Sequence, residues 1–290
     1  MSWRTVVITH NAKLDYQLGY LVVRGQETKK IHINEIGMLI VESTAVSLTA
    51  YLLSELVKHK VKVIFCDEKR HPSSELLPYY GSHDTSIKIR KQIEWTYDTK
   101  ASVWTEIVSE KIRKQAELLD YYKKKESELL YEYIKQVEYR DETNREGHAA
   151  KVYFNALFGK EFTRTIDCPI NSALNYGYSI VLSLFTREIV ANGYITQLGL
   201  FHNNMFNQFN LASDLMEPFR PLVDKLVYEN MFDKFEKDEK HQVVELLNQE
   251  VIVEGRREYI GNAVKLYVRS VFDALNDGDN ALIKFYKNEL

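Results

Sequence analysis

The chain has 290 residues, of which 45% are hydrophobic and 27% charged, with a net charge of −3 and a pI near 6.3. These are ordinary values for a soluble globular protein, and they lack the basic balance of typical nucleic-acid-binding domains, whose pI exceeds about 9. Cys66 and Cys168 stand far apart with no CxxC or Cys/His spacing, which argues against a disulfide framework and a structural zinc site.

The first eighty residues are predicted to be mostly β-structure. Runs rich in Val, Ile, Thr and Tyr indicate strands in RTVVITH, KLDYQLGYLVVRG, KKIHI, MLIVES and VKVIFCD. One helix is predicted in SLTAYLLSELVKH, which Ser47 can cap. The stretch KRHPSSELLPYYGSHDTS then holds two of the five prolines. A domain boundary is therefore predicted near 68–86, dividing the chain into domains 1–78 and 79–290.

The residues after this boundary are predicted to be helical. Periodicity of the 3.6-residue type runs without proline from Ile87 to Val137, and further periodic segments follow it to the C-terminus. The expected fold class is α+β, with a small β-rich N-terminal domain and a larger all-α C-terminal domain.

Charge is unevenly distributed along the chain. Residues 88–125 hold ten Lys/Arg and six Asp/Glu, whereas residues 229–258 hold five and nine. A basic stretch can contact phosphates locally while the total charge stays near zero. Solvent-exposed helix faces and a DNA-binding surface are both open interpretations of this stretch. On charge alone, the candidate DNA contacts are Lys88, Arg90, Lys91, Lys111, Arg113 and Lys114.

The N-terminal sequence MSWRTVVITH lacks the basic start, apolar core and cleavage site of a signal peptide. No apolar run approaches the roughly 18–20 residues of a membrane span. We therefore expect a cytoplasmic protein without a membrane segment, which also agrees with the sparse cysteines.

Several familiar catalytic motifs are missing, including GxxxxGK[ST], GxGxxG, HExxH and GxSxG. The stretch 201–221 instead places one histidine and two acids among amides and apolar residues. Asp214 and Glu217 are three residues apart, so on a helix they can face one target. Alternatively, Asp214 is an N-cap with Glu217 at N3 and Pro218 early in the helix.

His202 and Glu146 also have two interpretations each. A lone histidine in apolar surroundings is either a buried hydrogen-bonded residue or a ligand. Glu146 either compensates the helix dipole after a Thr143 or Asn144 cap, or enters the apolar helix AAKVYFNALF as a carboxylate that needs a nearby cation.

One imidazole with two or three carboxylates is a mainly hard-oxygen donor set, which suits Mg²⁺ or Mn²⁺ better than zinc. Such an ion can bind a phosphate oxygen and activate a hydroxyl. Spacing alone does not bring Glu146 to His202. Two hypotheses therefore stand: a metal-dependent phosphodiester enzyme, and a non-catalytic DNA-binding scaffold whose acids only cap helices.

The sequence resembles the CRISPR-associated spacer-acquisition integrase family ("Cas-one"), in the form found in type II systems. The matching segments are VVITHNAKLDY, LLPYYGSH, TNREGHAAKVYFNALFG, INSALNYGYSIVLS, REIVANGYITQLGLFHNN and FNLASDLMEPFRPLVD. In combination and in this order they are specific, and the resemblance covers essentially the whole chain.

This resemblance implies that Glu146, His202 and Glu217 are divalent-metal ligands and catalytic residues, with Asp214 as a supporting acid. Many members of the family carry Asp where this chain has Glu217, which leaves the hard-oxygen character of the site unchanged. Arg220 follows the acids by one helical turn. It can reach a phosphate, or it can form a salt bridge with Glu217 or Asp224.

The resemblance also implies an activity and partners. A 3′-hydroxyl of a short foreign DNA fragment attacks a phosphodiester of the repeat array, with Mg²⁺ or Mn²⁺ as cofactor. The N-terminal domain forms a homodimer, and two dimers flank a dimer of a small partner ("Cas-two") in a 4:2 complex on double-stranded DNA. The type II effector nuclease and a DNA-end clamp protein take part as well, in the prokaryotic cytoplasm.

Overall fold

The computed structural model describes residues 4–68, 70, 72–79 and 82–288. Its strands are β1 (Arg4–Ile8), β2 (Ala12–Gln17), β3 (Tyr20–Arg24), β4 (Thr28–His32), β5 (Ile36–Val41), β6 (Val46–Leu48), β7 (Lys62–Cys66), β8 (Pro72–Leu76), β9 (Glu250–Val253) and β10 (Arg256–Tyr259). Its α-helices are α1 (Ala50–Lys58), α2 (Thr85–Glu94), α3 (Tyr97–Tyr121), α4 (Ser127–Lys135), α5 (Arg145–Phe158), α6 (Pro169–Ala191), α7 (Asn210–Leu215), α8 (Arg220–Asn230), α9 (Lys237–Val244) and α10 (Ile260–Asp277). The predicted class is confirmed, since a β-rich N-terminal region precedes a mostly helical one. None of the described helices combines the length and apolarity that a bilayer crossing requires.

Two four-stranded sheets form the N-terminal region. One has the order β1-β5-β7-β8, with β1, β5 and β7 parallel, and the other has the order β4-β3-β2-β6. The segment predicted as one run in KLDYQLGYLVVRG is a hairpin. Leu18 and Gly19 form its turn with φ values of 48° and 87°, the positive values that a tight two-residue turn needs.

Strand β5 separates two hydrophobic cores because both of its faces are buried. Leu39 and Val41 point into the N-terminal core with α1, whereas Met38 and Ile40 join the larger core of the helical region. Alternating side chains point to opposite faces of a strand, so a central strand between two layers is apolar throughout. This shared strand fixes the helical region on the N-terminal sheet.

The structure differs from the prediction in three local elements. The N-cap of α1 is Thr49, whose Oγ1 accepts from the Leu52 N–H at 3.2 Å, and Ser47 lies in β6 instead. Strand β8 lies within the Pro-containing segment 68–86, where the alternation of apolar and polar residues is too short to predict a strand. The region expected to be all-α contains the hairpin β9–β10, turned by Glu254 and Gly255 with positive φ. The boundary near 68–86 stays a prediction, and its positions 69, 71, 80 and 81 lie outside the described residues.

Helix α3 organises the region around the predicted site. Thr96 caps it by accepting from the Thr99 N–H at 3.1 Å. The helix packs against α5, α7, α8 and the 3-10 turn Glu217–Phe219. Two parts of the chain that are distant in sequence, α5 and the segment 210–230, therefore meet on α3.

Candidate metal centre

Glu146 lies in the first turn of α5. Asn144, one of the two predicted caps, adopts a left-handed φ of 53° and accepts from the Gly147 N–H at 3.3 Å. The Asp141 carboxylate accepts from the N–H groups of Arg145 and Glu146 at 2.7 and 3.0 Å. Because these oxygens satisfy the helix terminus, the Glu146 side chain is free to take part in a site.

The helix-cap interpretation of Asp214 and Glu217 is wrong. Asp214 lies inside α7, and Glu217 begins the 3-10 turn Glu217–Phe219, so neither acid is an N-cap. Helix α8 begins after Phe219 without a side-chain cap, and Pro221 occupies its first turn. Both acids are buried, with Asp214 fully inaccessible. Their carboxylates must therefore be satisfied by tertiary contacts.

A lysine ammonium joins two of the predicted ligands. Lys111 of α3 forms ion pairs with Glu146 and with Glu217, and only 8% of its side chain is exposed. The two carboxylates therefore lie on either side of one cation, although 71 residues separate them in sequence. Sequence reasoning could not establish this meeting. Burial alone would lower the pKa of Lys111, but the charges of Glu217 and Glu146 raise it above its usual value.

Glu217 is held by two cations, one on each carboxylate oxygen. Its Oε1 accepts from Arg220 Nε at 2.9 Å, which makes the salt-bridge alternative for Arg220 the one observed. Its buried Oε2 contacts the Lys111 ammonium. Burial would raise the pKa of Glu217, but Arg220 and Lys111 outweigh it and hold the pKa below its usual value.

Asp214 fixes the segment that carries His202. Its Oδ2 accepts from the N–H groups of Leu200 and Phe201 at 2.6 and 3.1 Å, and its Oδ1 accepts from the His202 N–H at 3.1 Å. The same Oδ1 contacts His202 Nδ1. A carboxylate is only an acceptor, so Nδ1 carries a proton, and in the neutral imidazole Nε2 keeps its lone pair.

The His202 ring is half-exposed, with 41% of its side chain accessible, and is not the fully buried core histidine of one interpretation. The hydrogen bond to Asp214 raises the pKa of His202, and burial raises the pKa of Asp214. Trp104 stacks on Phe201 at a centroid distance of 4.7 Å and meets the His202 ring edge-on at 5.9 Å. The ring is thus held by a carboxylate on one nitrogen and by aromatic packing.

Gly199 and Asn210 shape the loop before α7. A Cβ at Gly199 would meet the carbonyl oxygen of His202 and lie 2.7 Å from Asp214 Oδ2, so only glycine fits here. The buried Asn210 amide donates to the carbonyl oxygens of Gln197 and Asn204, both at 3.0 Å. The Asn210 amide thereby provides hydrogen bonds to two backbone carbonyl groups of the loop without adding charge.

The donor types fit a hard divalent ion, but the side chains do not surround one. No three His, Cys, Asp or Glu side chains within the described ranges are arranged to hold a metal ion. Three features nevertheless match such a site. Glu146 and Glu217 share a cation, the Glu217 Oε2 that contacts it is buried, and His202 has its Nδ1 occupied by a carboxylate, as in many metal-bound histidines. For Glu146, Glu217 and His202 to coordinate one ion, the Lys111 ammonium would have to move away from the two glutamates.

The predicted DNA contacts divide by exposure. Arg90, Lys91 and Arg113 are exposed, and Lys88 is half-buried beside the Tyr194 ring. Lys114 is 2% exposed and pairs with Glu110 and Glu117 of its own helix at 3.2 and 2.9 Å. Lys111 and Lys114 are therefore buried in ion pairs, and their contact with DNA stays a prediction.

Sequence reasoning missed the roles of two residues of this region, Lys111 and Gln92. Lys111 follows Trp104 by seven positions, so both share the buried face of α3, and a lysine at core spacing is the signal that could have identified it. The Gln92 amide donates to the Ile195 and Leu198 carbonyls at 2.9 and 3.2 Å, which docks α2 on the segment that leads to His202.

Together, these observations define an α+β protein whose helical region holds two glutamates, a lysine and a carboxylate-oriented histidine in one polar centre. A family model described as "CRISPR associated protein Cas1" matches residues 5–261. The chain belongs to this family. The CRISPR-associated endonuclease Cas1 of Neisseria meningitidis serogroup C (strain 8013) is 35% identical over 229 residues, covering 78% of this chain and 75% of that protein.

Solved structures agree with the fold. A casposase bound to an integration product superposes with a TM-score of 0.79 at 19% identity, covering 96% of this chain and 91% of that one. A chain of a Cas6-RT-Cas1–Cas2 complex superposes with a TM-score of 0.72 at 17% identity, covering 99% of this chain and 36% of that one. At these identities the likeness establishes the fold alone.

Proposed function

We propose that the protein is a metal-dependent DNA integrase and endonuclease of CRISPR adaptation. It would insert short foreign DNA fragments into the repeat array by attack of a 3′-hydroxyl on a phosphodiester. The observation that carries this proposal is the meeting of Glu146 and Glu217 around one cation, beside a histidine that Asp214 orients. Membership of the Cas1 family and a relative named as a CRISPR-associated endonuclease support the same chemistry, and the fold is shared with a casposase bound to an integration product.

Glu146, His202 and Glu217 are the proposed ligands of Mg²⁺ or Mn²⁺. A bound ion of this kind supplies a Lewis acid that polarises the scissile phosphodiester and stabilises the charge developing at phosphorus. Asp214 binds His202 through Nδ1, which leaves Nε2 available as a donor atom. Arg220 keeps Glu217 ionised at neutral pH through its contact with Oε1.

DNA is the proposed substrate, and its phosphates have candidate partners near the centre. Arg90 and Lys91 are exposed on α2, beside the Gln92 amide that bonds to the segment leading to His202. Arg113 is exposed on α3, two residues after Lys111. Phosphate contacts of this kind position a duplex and weaken with salt.

The proposed assembly is a homodimer through the β-rich N-terminal region, with two dimers flanking a Cas2 dimer in a 4:2 complex. The Cas1–Cas2 neighbour supports Cas2 as a partner. Similarity to the Neisseria protein agrees with the type II form of the family, in which we propose the effector nuclease and a DNA-end clamp protein as additional partners.

Strand transfer tests the function. The protein with its Cas2 partner is incubated with a fragment carrying a 3′-hydroxyl, a repeat-containing plasmid and Mg²⁺ or Mn²⁺. We expect His202→Ala and Glu217→Gln to abolish integration while DNA binding persists. Glu117→Gln is the matched control, because Glu117 lies on α3 and pairs only with Lys114 among the partners described. Normal integration by folded His202→Ala and Glu217→Gln proteins would refute the site, and DNA binding without any divalent-ion-dependent reaction would favour the scaffold.

A further inference from the structure

The Lys111 ammonium lies where a divalent cation would have to bind. It contacts the Glu146 Oε1 and the buried Glu217 Oε2. Its side chain is nearly buried, so water screens these contacts weakly. An ion that uses the same oxygens would meet the ammonium at close range.

The charges of this cluster already sum to zero. Two carboxylates, Glu146 and Glu217, face two cations, Lys111 and Arg220. A divalent ion added to this arrangement would leave two positive charges uncompensated in a poorly screened site. Arg220 holds the other Glu217 oxygen and need not move, so Lys111 is the cation that the ion must displace.

We propose that Lys111 is a built-in counter-ion that holds Glu146 and Glu217 together without metal and competes with the divalent ion for them. This inference rests on the proposed function, because it takes the two glutamates as metal ligands. Once displaced, the ammonium needs another anion, and the phosphodiester of a DNA substrate is the anion that arrives at this site. Lys111 therefore makes metal binding weak in the free protein and couples it to DNA binding.

The chain contains a matched control in Lys114. It lies one turn further along α3 and is equally buried, but its partners Glu110 and Glu117 belong to its own helix. Lys111 instead connects α3 with α5 and with the 3-10 turn Glu217–Phe219. Loss of Lys114 thus removes a buried charge of the same kind without touching the proposed ligands.

Mn²⁺ binding to the purified full-length protein without DNA tests the inference. Free Mn²⁺ is measured by electron paramagnetic resonance during titration of wild type, Lys111→Met and Lys114→Met. Replacing a competing ammonium by an uncharged chain of similar length should tighten Mn²⁺ binding by about tenfold or more. Lys114→Met should bind as wild type does. Equal or weaker binding by Lys111→Met would overturn the inference.

A second measurement on the wild-type protein covers the case in which Lys111→Met does not fold. The buried, ion-paired Lys111 should react slowly with an amine-acylating reagent, and saturating Mn²⁺ should accelerate its labelling, as followed by peptide mass spectrometry. Lys114 in the same sample is the internal reference and should not change. Labelling of Lys111 that Mn²⁺ leaves unchanged would contradict its displacement.

These outcomes separate the inference from the proposed function. If wild type binds Mn²⁺ and Lys111→Met binds it no more tightly, only the counter-ion role fails. If neither protein binds Mn²⁺ at any concentration tested, with or without a DNA fragment, the ligand assignment itself fails and the inference fails with it.

Discussion

Asp214→Asn exchanges one carboxylate oxygen for an amide nitrogen at the most deeply buried acid of the centre. The carboxylate accepts from three backbone N–H groups, those of Leu200, Phe201 and His202, and from the His202 ring. An asparagine offers one oxygen and one NH₂ group, so half of these donors must face another donor. The orientation of the amide decides only which two of the four donors keep an acceptor.

The less costly choice keeps the amide oxygen on Leu200 and Phe201 and turns the NH₂ group towards His202. The imidazole can then accept at Nδ1 by moving its proton to Nε2, but the His202 N–H loses its partner. One orphaned buried donor costs about 1–3 kcal/mol, and the loss of charge weakens the remaining bonds further. We therefore expect Asp214→Asn to lower the free energy of unfolding by about 2–4 kcal/mol and to invert the His202 tautomer.

Urea unfolding at pH 7.5 measures the free energy, and ¹H–¹⁵N correlation of the imidazole nitrogens reports the tautomer. Because Nε2 would then carry a proton, strand transfer should fall by about 10–100-fold, the usual cost of removing such a supporting group. Asp224→Asn is the matched control, since Asp224 is equally buried but accepts from the hydroxyls of Tyr153 and Tyr178. It should leave the His202 tautomer unchanged.

A folded Asp214→Asn protein that loses less than about 1 kcal/mol and keeps the proton of His202 on Nδ1 would refute this reasoning. Asp214 would then be replaceable in the loop, and the orientation of the histidine would come from the packing of Trp104 and Phe201 alone.

Three further changes have expected outcomes. Gly199→Ala places a methyl group against the His202 carbonyl and Asp214, so strand transfer should fall by about 10²-fold in the integration assay. Gly177→Ala drives a methyl group into Val223 on α8. The overpacking costs about 1–3 kcal/mol and should outweigh the gain in helix propensity of about 1 kcal/mol. We therefore expect a lower free energy of unfolding in urea. Burial raises the pKa of Asp224 from 3.8 to about 6, so its contribution to stability is greatest below pH 4 and declines as pH rises through 6. Relative to wild type, Asp224→Asn should therefore gain about 2–2.5 kcal/mol between pH 4 and pH 7.5, as measured by urea unfolding at both pH values.

Each of these changes has a result that would contradict it. Full activity of Gly199→Ala would mean that the loop relaxes around the added methyl group. A more stable Gly177→Ala protein would show that Val223 can change rotamer at little cost. A stability difference between wild type and Asp224→Asn that is constant with pH would mean that Asp224 is ionised in the folded protein over the whole range.

The division into strands and helices was predictable because it depends on local periodicity. The alternating and helical patterns correctly separated the N-terminal sheets from the helical region. The turn at Leu18 and Gly19 and the hairpin β9–β10 were missed for one reason: each turn contains a non-glycine residue with positive φ, Leu18 or Glu254, for which the sequence offers no strong local signal.

The site was predictable only in part. The residue types of Glu146, His202 and Glu217 indicated hard-ion chemistry, but spacing could not decide between caps and ligands. The meeting of Glu146 with Glu217 depends on the packing of α5 and the 3-10 turn on α3, which is tertiary. Net charge counted along the chain could not show that Lys111 is buried, whereas its heptad spacing from Trp104 places it on the inner face of α3.

Anomalous diffraction from crystals grown with a DNA fragment and Mn²⁺ tests the central claim most directly. We predict one anomalous peak in direct contact with Glu146, Glu217 and His202 Nε2, with the Lys111 ammonium moved off the glutamates and towards a DNA phosphate. A Mn²⁺ peak elsewhere, or a Lys111 ammonium still between Glu146 and Glu217 in DNA-bound, Mn²⁺-saturated crystals that retain integration activity, would contradict the account.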